Sequence, residues 1–472
     1  MSTAIVLFRR DLRLSDHPAL AAACARHARV LPLYVHAPGE ERPWSPGAAS
    51  RWWLHRSLAA LQRRLGACGA ELHIRRGRSL CALRALLAAT GAEAVYWSRR
   101  HEPAAVAHDT ELKAALQAEG VAVHSHPGNL WFEPWQITTG ADGPFRVFGP
   151  FWRKARAQLE PLEPLPQARA QRWIKAPASV PLAALELQPR SAWDGGLEAT
   201  WQPGETGAQE LLEVFADDAL AHYATGRDLP ARQGTSRLSP HLHFGEITPR
   251  QIHHALAAAR ATANAHRRTD LEPYLRELGW REFAHHLLFH FPQTPTANFN
   301  PRFDQFDWAA DDPAALARWR EGRTGVPLVD AGMRELWHTG WMHNRVRMIV
   351  ASFLTKNLRQ HWQHGARWFW DTLVDADLAN NTLGWQWVAG CGADAAPYFR
   401  IFNPYSQAAR FDPNATYLKR WLPELAPLAP RLLHAPWRAP QALSACGYPA
   451  PMVDVAQSRA AALHAWQALR SP

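Results

Sequence analysis

The chain is short of the features that mark several protein classes. Only five of its 472 residues are cysteine (24, 68, 81, 391 and 446), all far apart with no CxxC, so neither a disulfide framework nor a zinc site is indicated. That usage fits a reducing, cytoplasmic setting. No apolar run approaches the roughly 20 residues of a membrane span. The most apolar window, Met348–Leu354, is far shorter. At the N-terminus Arg9 and Arg10 follow the short apolar run, the reverse of a secretory signal. The first apolar run leads into RRDLRLSDHP (Arg9–Pro18) where a dinucleotide enzyme would have GxGxxG. No GxSxG, Walker A or Ser/His/Asp order is legible, so hydrolase and NTPase readings lack support.

What the chain does have is tryptophan, 23 residues against 8 tyrosines, and a net charge of +10 from 52 basic and 42 acidic residues. A hydrophobic fraction of 47% supplies sizeable cores and excludes intrinsic disorder as the main state. The basic balance suits an anionic partner, nucleic acid first, though charge alone fits a merely solvated basic surface equally well.

Five apolar runs, Ala4–Phe8, Val30–His36, Glu71–Arg75, Ala94–Ser98 and Val121–Ser125, alternate with helical spacing at Ser50–Leu65 and Leu80–Ala89. This alternation predicts a doubly wound, parallel five-stranded α/β domain over residues 1–130, Rossmann-like in layout. Asp16 before Pro18 reads as a capped helix start. Prolines from 144 to 203 make 131–204 a connector, and 205–472 reads as an all-helical domain.

Three segments carry chemistry. Around Gly234, the hydroxyls of Thr235, Ser236 and Ser239 flank Arg237, and Ser239-Pro240 reads as a helix cap. The set suits a phosphate, or an ordinary capping loop. Thr248-Pro249 repeats the cap as a structural device. In DADLANNTLGWQW (Asp375–Trp387), two carboxylates at i, i+2 diverge on a helix and would share a metal only in a loop. The paired Asn and Trp suit a flat polar heterocycle, or else an N-cap with buried aromatics. In GWMHNRVRM (Gly340–Met348), Asn344, Arg347 and Met348 share a helix face. Arg345 with Met348 suits base stacking or a nucleic-acid backbone, or a solvated helix. His286 and His290 have zinc-pair spacing without a third ligand, so no metal is expected. Ten of the 23 tryptophans crowd between 280 and 387, which by itself means aromatic core.

Taken together the motifs resemble the DNA photolyase/cryptochrome family. The blocks are FRRDLRLSD (Phe8–Asp16), GTSRLSPHLHFG (Gly234–Gly245), ELGWREF (Glu277–Phe283), GVPLVDAGMR (Gly325–Arg334), Gly340–Arg347, Asp375–Trp387 and DAAPYFRIFNP (Asp394–Pro404). They span nearly the whole chain in family order. The resemblance implies FAD, folded into a U, in the helical domain. Tyr223 and the loop Thr235, Ser236, Arg237, Leu238 and Ser239 would hold phosphates and ribose, with Tyr274 where relatives often have Trp. Arg347 would pair with Asp375 beside the flavin ring, Asp377 would accept from the ring edge, and Asn381 would sit near N5, with Glu277 and Asn344 bordering the cofactor.

Asn381 and Asn344 are the residues that the resemblance links to repair of cyclobutane pyrimidine dimers. Plant cryptochromes tend to have Asp at 381, and (6-4) photolyases Cys at 381 and His at 344. The resemblance further implies light-driven electron transfer from reduced FAD to a dimer flipped out of DNA. Trp280, Trp387 and Met348 would line the dimer's pocket, with hydrogen bonds from Glu277 and Asn344. Arg227, Arg281, Arg345, Arg400 and Gln407 would meet the DNA. Trp308, Trp362 and Trp385 match a photoreduction relay. An antenna pigment, methenyltetrahydrofolate or a deazaflavin, the folate being the more common in the family, is expected in the N-terminal domain, with Glu102 as a contact. The chain would act as a monomer. A blue-light receptor without repair, which would ordinarily carry a long polar tail, and a general nucleic-acid-binding module are the competing readings.

Overall fold

The computed structural model describes residues 2–262, 270–395 and 399–470. Ala396, Pro397 and Tyr398 of the Asp394–Pro404 block lie outside them. Contacts divide the chain into two compact units: 1–145, 149–221 and 236–292 form the first, and 146–148, 222–235 and 293–472 the second.

In the first unit β1 (Thr3–Phe8), β2 (Arg29–His36), β3 (His73–Arg76), β4 (Ala94–Ser98) and β5 (Ala122–His126) are parallel, in the order β3-β2-β1-β4-β5. Helices α1 (Pro18–Arg26), α2 (Ala48–Ala67), α3 (Ser79–Thr90) and α4 (Pro103–Ala118) make the crossovers. Strands β1, β2 and β4 are apolar along most of their length because both faces are covered, whereas β3 and β5 are polar and only partly buried. Ile5, Leu7, Leu31, Leu33, Val95 and Trp97 are buried in one cluster with Leu83 and Leu86 of α3 and Leu112 and Leu116 of α4. The five-stranded doubly wound sheet is the one expected from the alternation. A sixth strand, β6 (Arg172–Trp173), pairs with Arg29–Val30 of β2 from within the proline-rich connector.

Asp16 does not cap α1. The cap is His17, whose Nδ1 accepts from Leu20 N at 3.1 Å. Asp16 itself has φ +49, outside the extended region that an N-cap adopts, and its carboxylate accepts from Leu165 N at 3.0 Å and from the Thr248 hydroxyl at 2.6 Å. It ties two distant segments to the domain instead.

The first unit also holds α5 (Ser239–Phe244) and α6 (Glu272–His290). The second unit is helical, and the elements that matter below are α7 (Pro313–Arg320), α8 (Pro327–Thr339), α9 (Asn344–Ser352), α10 (Trp362–Thr372), α11 (Leu378–Ala389) and α12 (Thr416–Trp421). Among the described residues no helix is long and apolar enough to cross a membrane.

Candidate active site

In the second unit the start of α9 is set by His343, whose Nδ1 accepts from Arg345 N at 3.2 Å. One turn on, Arg347 Nη2 donates to Asp375 Oδ2 at 2.8 Å and Oδ1 at 3.1 Å, and its Nε donates to Met342 O at 2.7 Å. Asp375 lies in the turn between α10 and α11, not on a helix, and Asp377 closes that turn as the N-cap of α11, accepting from Asn380 N at 2.9 Å. The two carboxylates therefore serve different partners. Among the described residues no group of three His, Cys, Asp or Glu is placed to hold a metal ion. Asn381, on the first turn of α11, donates from Nδ2 to Ala366 O of α10 at 2.9 Å, which leaves its carbonyl oxygen for another donor.

His343 sharpens what this cluster can hold. Its side chain is buried, and burial pushes its pKa down to about 4; Asp228 opposes this, while Arg345, Arg347 and Arg227 add to it. The ring is thus neutral at pH 7, and because Nδ1 accepts, the proton sits on Nε2, which has no acceptor among the described residues. A buried donor without a partner beside a bidentate Arg–Asp pair suits a large polar heterocycle.

The segment from Tyr223 to Gly245 has the close turns that a phosphate-binding loop needs. A Cβ on Gly234 would lie 2.3 Å from Gly226 O, so only glycine permits that approach. In the second unit Tyr223 is buried with the Arg227 guanidinium 5.4 Å from its ring centroid, and Thr235 is half-buried. In the first unit Ser236 Oγ accepts from the Tyr274 hydroxyl at 3.0 Å and from Leu238 N at 3.4 Å. Burial pushes the Tyr274 hydroxyl up, so it stays a donor. Arg237 adopts φ +55, an unusual backbone for a residue with a side chain, and lies 4.4 Å over the Trp201 ring.

Ser239 is not the cap of α5. Leu238 is, without a side-chain bond, because the Ser236 hydroxyl holds Leu238 N and Leu238 O already accepts from Leu242 N at 2.9 Å. The turn starts one residue early, and Ser239 is exposed at the first helical position. Thr248, by contrast, makes a reciprocal cap with Gln251, 3.0 Å and 2.9 Å.

The residues expected to meet DNA divide by unit. On α6, Glu277 and Trp280 share a face and are half-buried. Arg281 is turned inward, its side chain 11% exposed and its Nη1 donating to Asn129 O at 2.6 Å. In the second unit Asn344 is exposed and Met348 and Gln407 are half-buried. Arg345 donates to Asp228 at 2.7 Å and lies 4.6 Å over Phe411, so its charge is shared with a carboxylate. Exposed Arg400 sits 5.5 Å over the Trp387 ring, whose Nε1 donates to Asp394 O at 3.2 Å. Arginine on indole of this kind is a platform for a base or a phosphate.

Glu282, beside this face of α6, was not legible as special. Its Oε2 accepts from Trp131 N at 3.0 Å and Phe132 N at 3.1 Å, yet burial, opposed by Arg281, pushes its pKa up to about 7. A carboxyl raised above its usual value binds its proton more tightly when folded. Its contribution to stability is therefore complete below the usual carboxylate range and is lost as pH rises toward and through 7. Glu282→Gln should flatten that decline, worth on the order of a few kcal/mol between about pH 4.5 and 7. Thermal midpoints of both proteins across this window check it, and parallel profiles would contradict it.

Of the three relay candidates, Trp362 and Trp385 are buried and Trp308 is half-buried. Trp308 meets His361 edge-on at 5.0 Å, and His361 lies 5.6 Å from Trp362. Trp362, at the start of α10, donates from Nε1 to Asn298 Oδ1 at 2.9 Å. One turn along α10, Gly365 lets the Trp385 ring approach: a Cβ there would lie 2.0 Å from it. Gly365 is a positioning residue that the motif reading missed.

At the β1/β4 switch point of the sheet, where doubly wound folds bind ligands, Arg10, Glu41 and Arg100 border a cavity of about 70 Å³. Glu102 does not line it. It is half-buried in an ion pair with Arg100 at 2.9 Å, which holds it well below the usual carboxylate range against the opposing effect of desolvation. The candidate zinc pair is also committed: His286 Nδ1 and His290 Nε2 both bond to Pro134 O, at 2.9 and 3.1 Å.

Comparison with known proteins bears on this geometry. Residues 4–170 match the family model described as DNA photolyase, and residues 274–468 the model described as FAD binding domain of DNA photolyase. The deoxyribodipyrimidine photo-lyase of Agrobacterium fabrum is 45% identical over 99% of this chain and 98% of its own length. The crystal structure of a bacterial class III photolyase from Agrobacterium tumefaciens superposes with a TM-score of 0.94 at 44% identity, covering 100% of this chain and 98% of that one. Cryptochrome-1 of Arabidopsis thaliana is 38% identical over 97% of this chain and 69% of its own length.

Proposed function

The chain belongs to the DNA photolyase family, a light-driven lyase of DNA with an FAD-binding domain, and on that premise we propose that it repairs cyclobutane pyrimidine dimers. The observation that carries the proposal is Asn381, pinned through its amide to Ala366, in a unit where Arg347 and Asp375 form a bidentate pair. The orphaned Nε2 of His343 and the open carbonyl of Asn381 fit a cofactor with many acceptors and donors. When bound, reduced FAD would supply light-driven one-electron chemistry, an electron lent to the dimer and returned once its two C–C bonds have broken.

The chain's own residues do the rest. Arg347, Asp375, Asp377 and Asn381 orient the flavin ring, and Tyr223, Tyr274 and the loop Thr235–Ser239 hold its phosphates and ribose. Trp280, Trp387 and Met348 receive the flipped dimer, as base-flipping enzymes do. Glu277 and Asn344 hydrogen-bond the pyrimidines and steady the transferred charge. Arg400, Arg227, Arg345 and Gln407 follow the DNA backbone, and Arg345 exchanges Asp228 for phosphate when DNA binds, whereas the inward-turned Arg281 braces Asn129 instead. Trp308, Trp362 and Trp385 carry electrons to oxidised flavin. The proposal includes action as a monomer and a folate antenna in the first unit; a chromophore at the sheet's switch point would displace the Arg10–Glu41–Arg100 side chains, because a ligand pocket needs about 300 Å³ or more.

Similarity to a plant cryptochrome favours a second reading, a light receptor without repair. Duplexes carrying one cyclobutane dimer or one (6-4) photoproduct separate the possibilities. Under blue light only the first should be restored, and Glu277→Ala should lower the yield with flavin absorption intact. Restoration of the (6-4) lesion alone would overturn the assignment. Restoration of neither would favour the receptor.

A further inference from the structure

On the second unit a groove of about 460 Å³ opens among α7, α8, α10 and α12, lined by Arg320, Met333, Arg334, Trp337, Trp368 and Trp421. None of these residues has a part in the flavin or dimer chemistry. The volume lies within the range of small-molecule sites, roughly 300–1,000 Å³. Trp337 is 56% exposed, an unfavourable place for the largest apolar side chain unless something covers it. Its ring stacks with that of Trp368, centroids 6.1 Å apart and planes 7° from parallel, so the two indoles form an offset parallel stack that a further planar ring can extend. The Arg320 guanidinium lies 5.2 Å from the Trp368 ring centroid. Among the described residues it has no carboxylate or hydrogen-bond partner. Arg334 differs: Glu424 holds it at 2.8 Å and Trp421 O accepts from it at 3.4 Å. Glu321 borders the same groove and limits the anionic charge it accepts.

We propose that this groove binds a nucleotide, its base stacked on the Trp337–Trp368 face and its phosphate on Arg320. A flat apolar surface with an unpaired guanidinium at its edge selects a planar aromatic ring joined to an anion, and the guanidinium fork matches phosphate. A free mononucleotide and a nucleotide of a single strand offer the same chemistry.

The test is calorimetric titration in the dark of the full-length, FAD-loaded protein with AMP, adenosine, inorganic phosphate and pentathymidylate. AMP should bind saturably, with adenosine and phosphate each about tenfold weaker or more. Trp337→Ala and Arg320→Gln should each weaken AMP by about tenfold, with flavin absorption and thermal midpoint unchanged as evidence of folding. Pentathymidylate binding tighter than AMP, and weakened equally by both variants, would identify the strand as the source. Pentathymidylate no tighter than AMP would identify the free nucleotide. Absence of saturable binding by either probe up to about 5 mM, or binding unchanged in both variants, would overturn the proposal.

Discussion

Trp362→Phe is expected to slow light-driven reduction of oxidised flavin by about tenfold or more while sparing repair by enzyme already reduced. Trp362 is 1% exposed, anchored through Nε1 to Asn298, and lies on α10 between Trp308, reached through His361, and the segment against which Trp385 packs. Phenylalanine fills most of the indole's space, so the packing loss is modest, about 1–3 kcal/mol. It is, however, far harder to oxidise than indole, so the hop through this position slows. Bleaching of the oxidised-flavin band under blue light with an external donor should slow by about tenfold or more, the rate effect of a barrier raised by about 1.4 kcal/mol or more. Repair after chemical reduction should be unchanged. Loss of repair under chemical reductant would show that Trp362 is structural.

Removing Asp375 should have the larger effect on the protein itself. Its side chain is 4% exposed and that of Arg347 24%, and the pair is joined by two hydrogen bonds. Asp375→Ala leaves a guanidinium in a largely enclosed place without its counter-charge, a change that typically costs about 3–5 kcal/mol. The purified variant should contain little FAD and melt earlier, whereas Asp375→Asn, which keeps an acceptor, should retain more of both. FAD-to-protein ratios from absorption, with thermal midpoints, check this. Full FAD occupancy in Asp375→Ala would remove the pair from the cofactor site.

These predictions rest partly on what local pattern reveals and partly on what it cannot. Strands β1, β2 and β4 were legible because each is apolar along most of its length, as burial on both faces requires, and β3 and β5 from their place in the alternation of strands and helices. The strand Arg172–Trp173 was not, since two residues cannot display a period and prolines surround them. Asp16 and Ser239 each carry the right side chain one or two residues before a proline, but the true caps are their neighbours His17 and Leu238. In the first case the carboxylate is claimed by Thr248, distant in sequence, and in the second the Ser236 hydroxyl starts the turn early.

The same limit applies to the site. Asp377 as an N-cap could be read from its place before a helical run, whereas the separate commitments of Asp377 to Asn380 and of Asp375 to Arg347 could not. The Arg345–Asp228 pair joins residues far apart in the chain, and no spacing rule reaches that distance. The orphaned His343 donor and the Trp337–Trp368 face appear only after folding, since each is defined by what surrounds it.

The central claim is tested most directly by one comparison, DNA carrying cyclobutane thymine dimers incubated with FAD-reduced protein in blue light and in darkness. Dimers should disappear in the light and persist in the dark. If they persist in both while reduced FAD remains bound, the chain does not repair them.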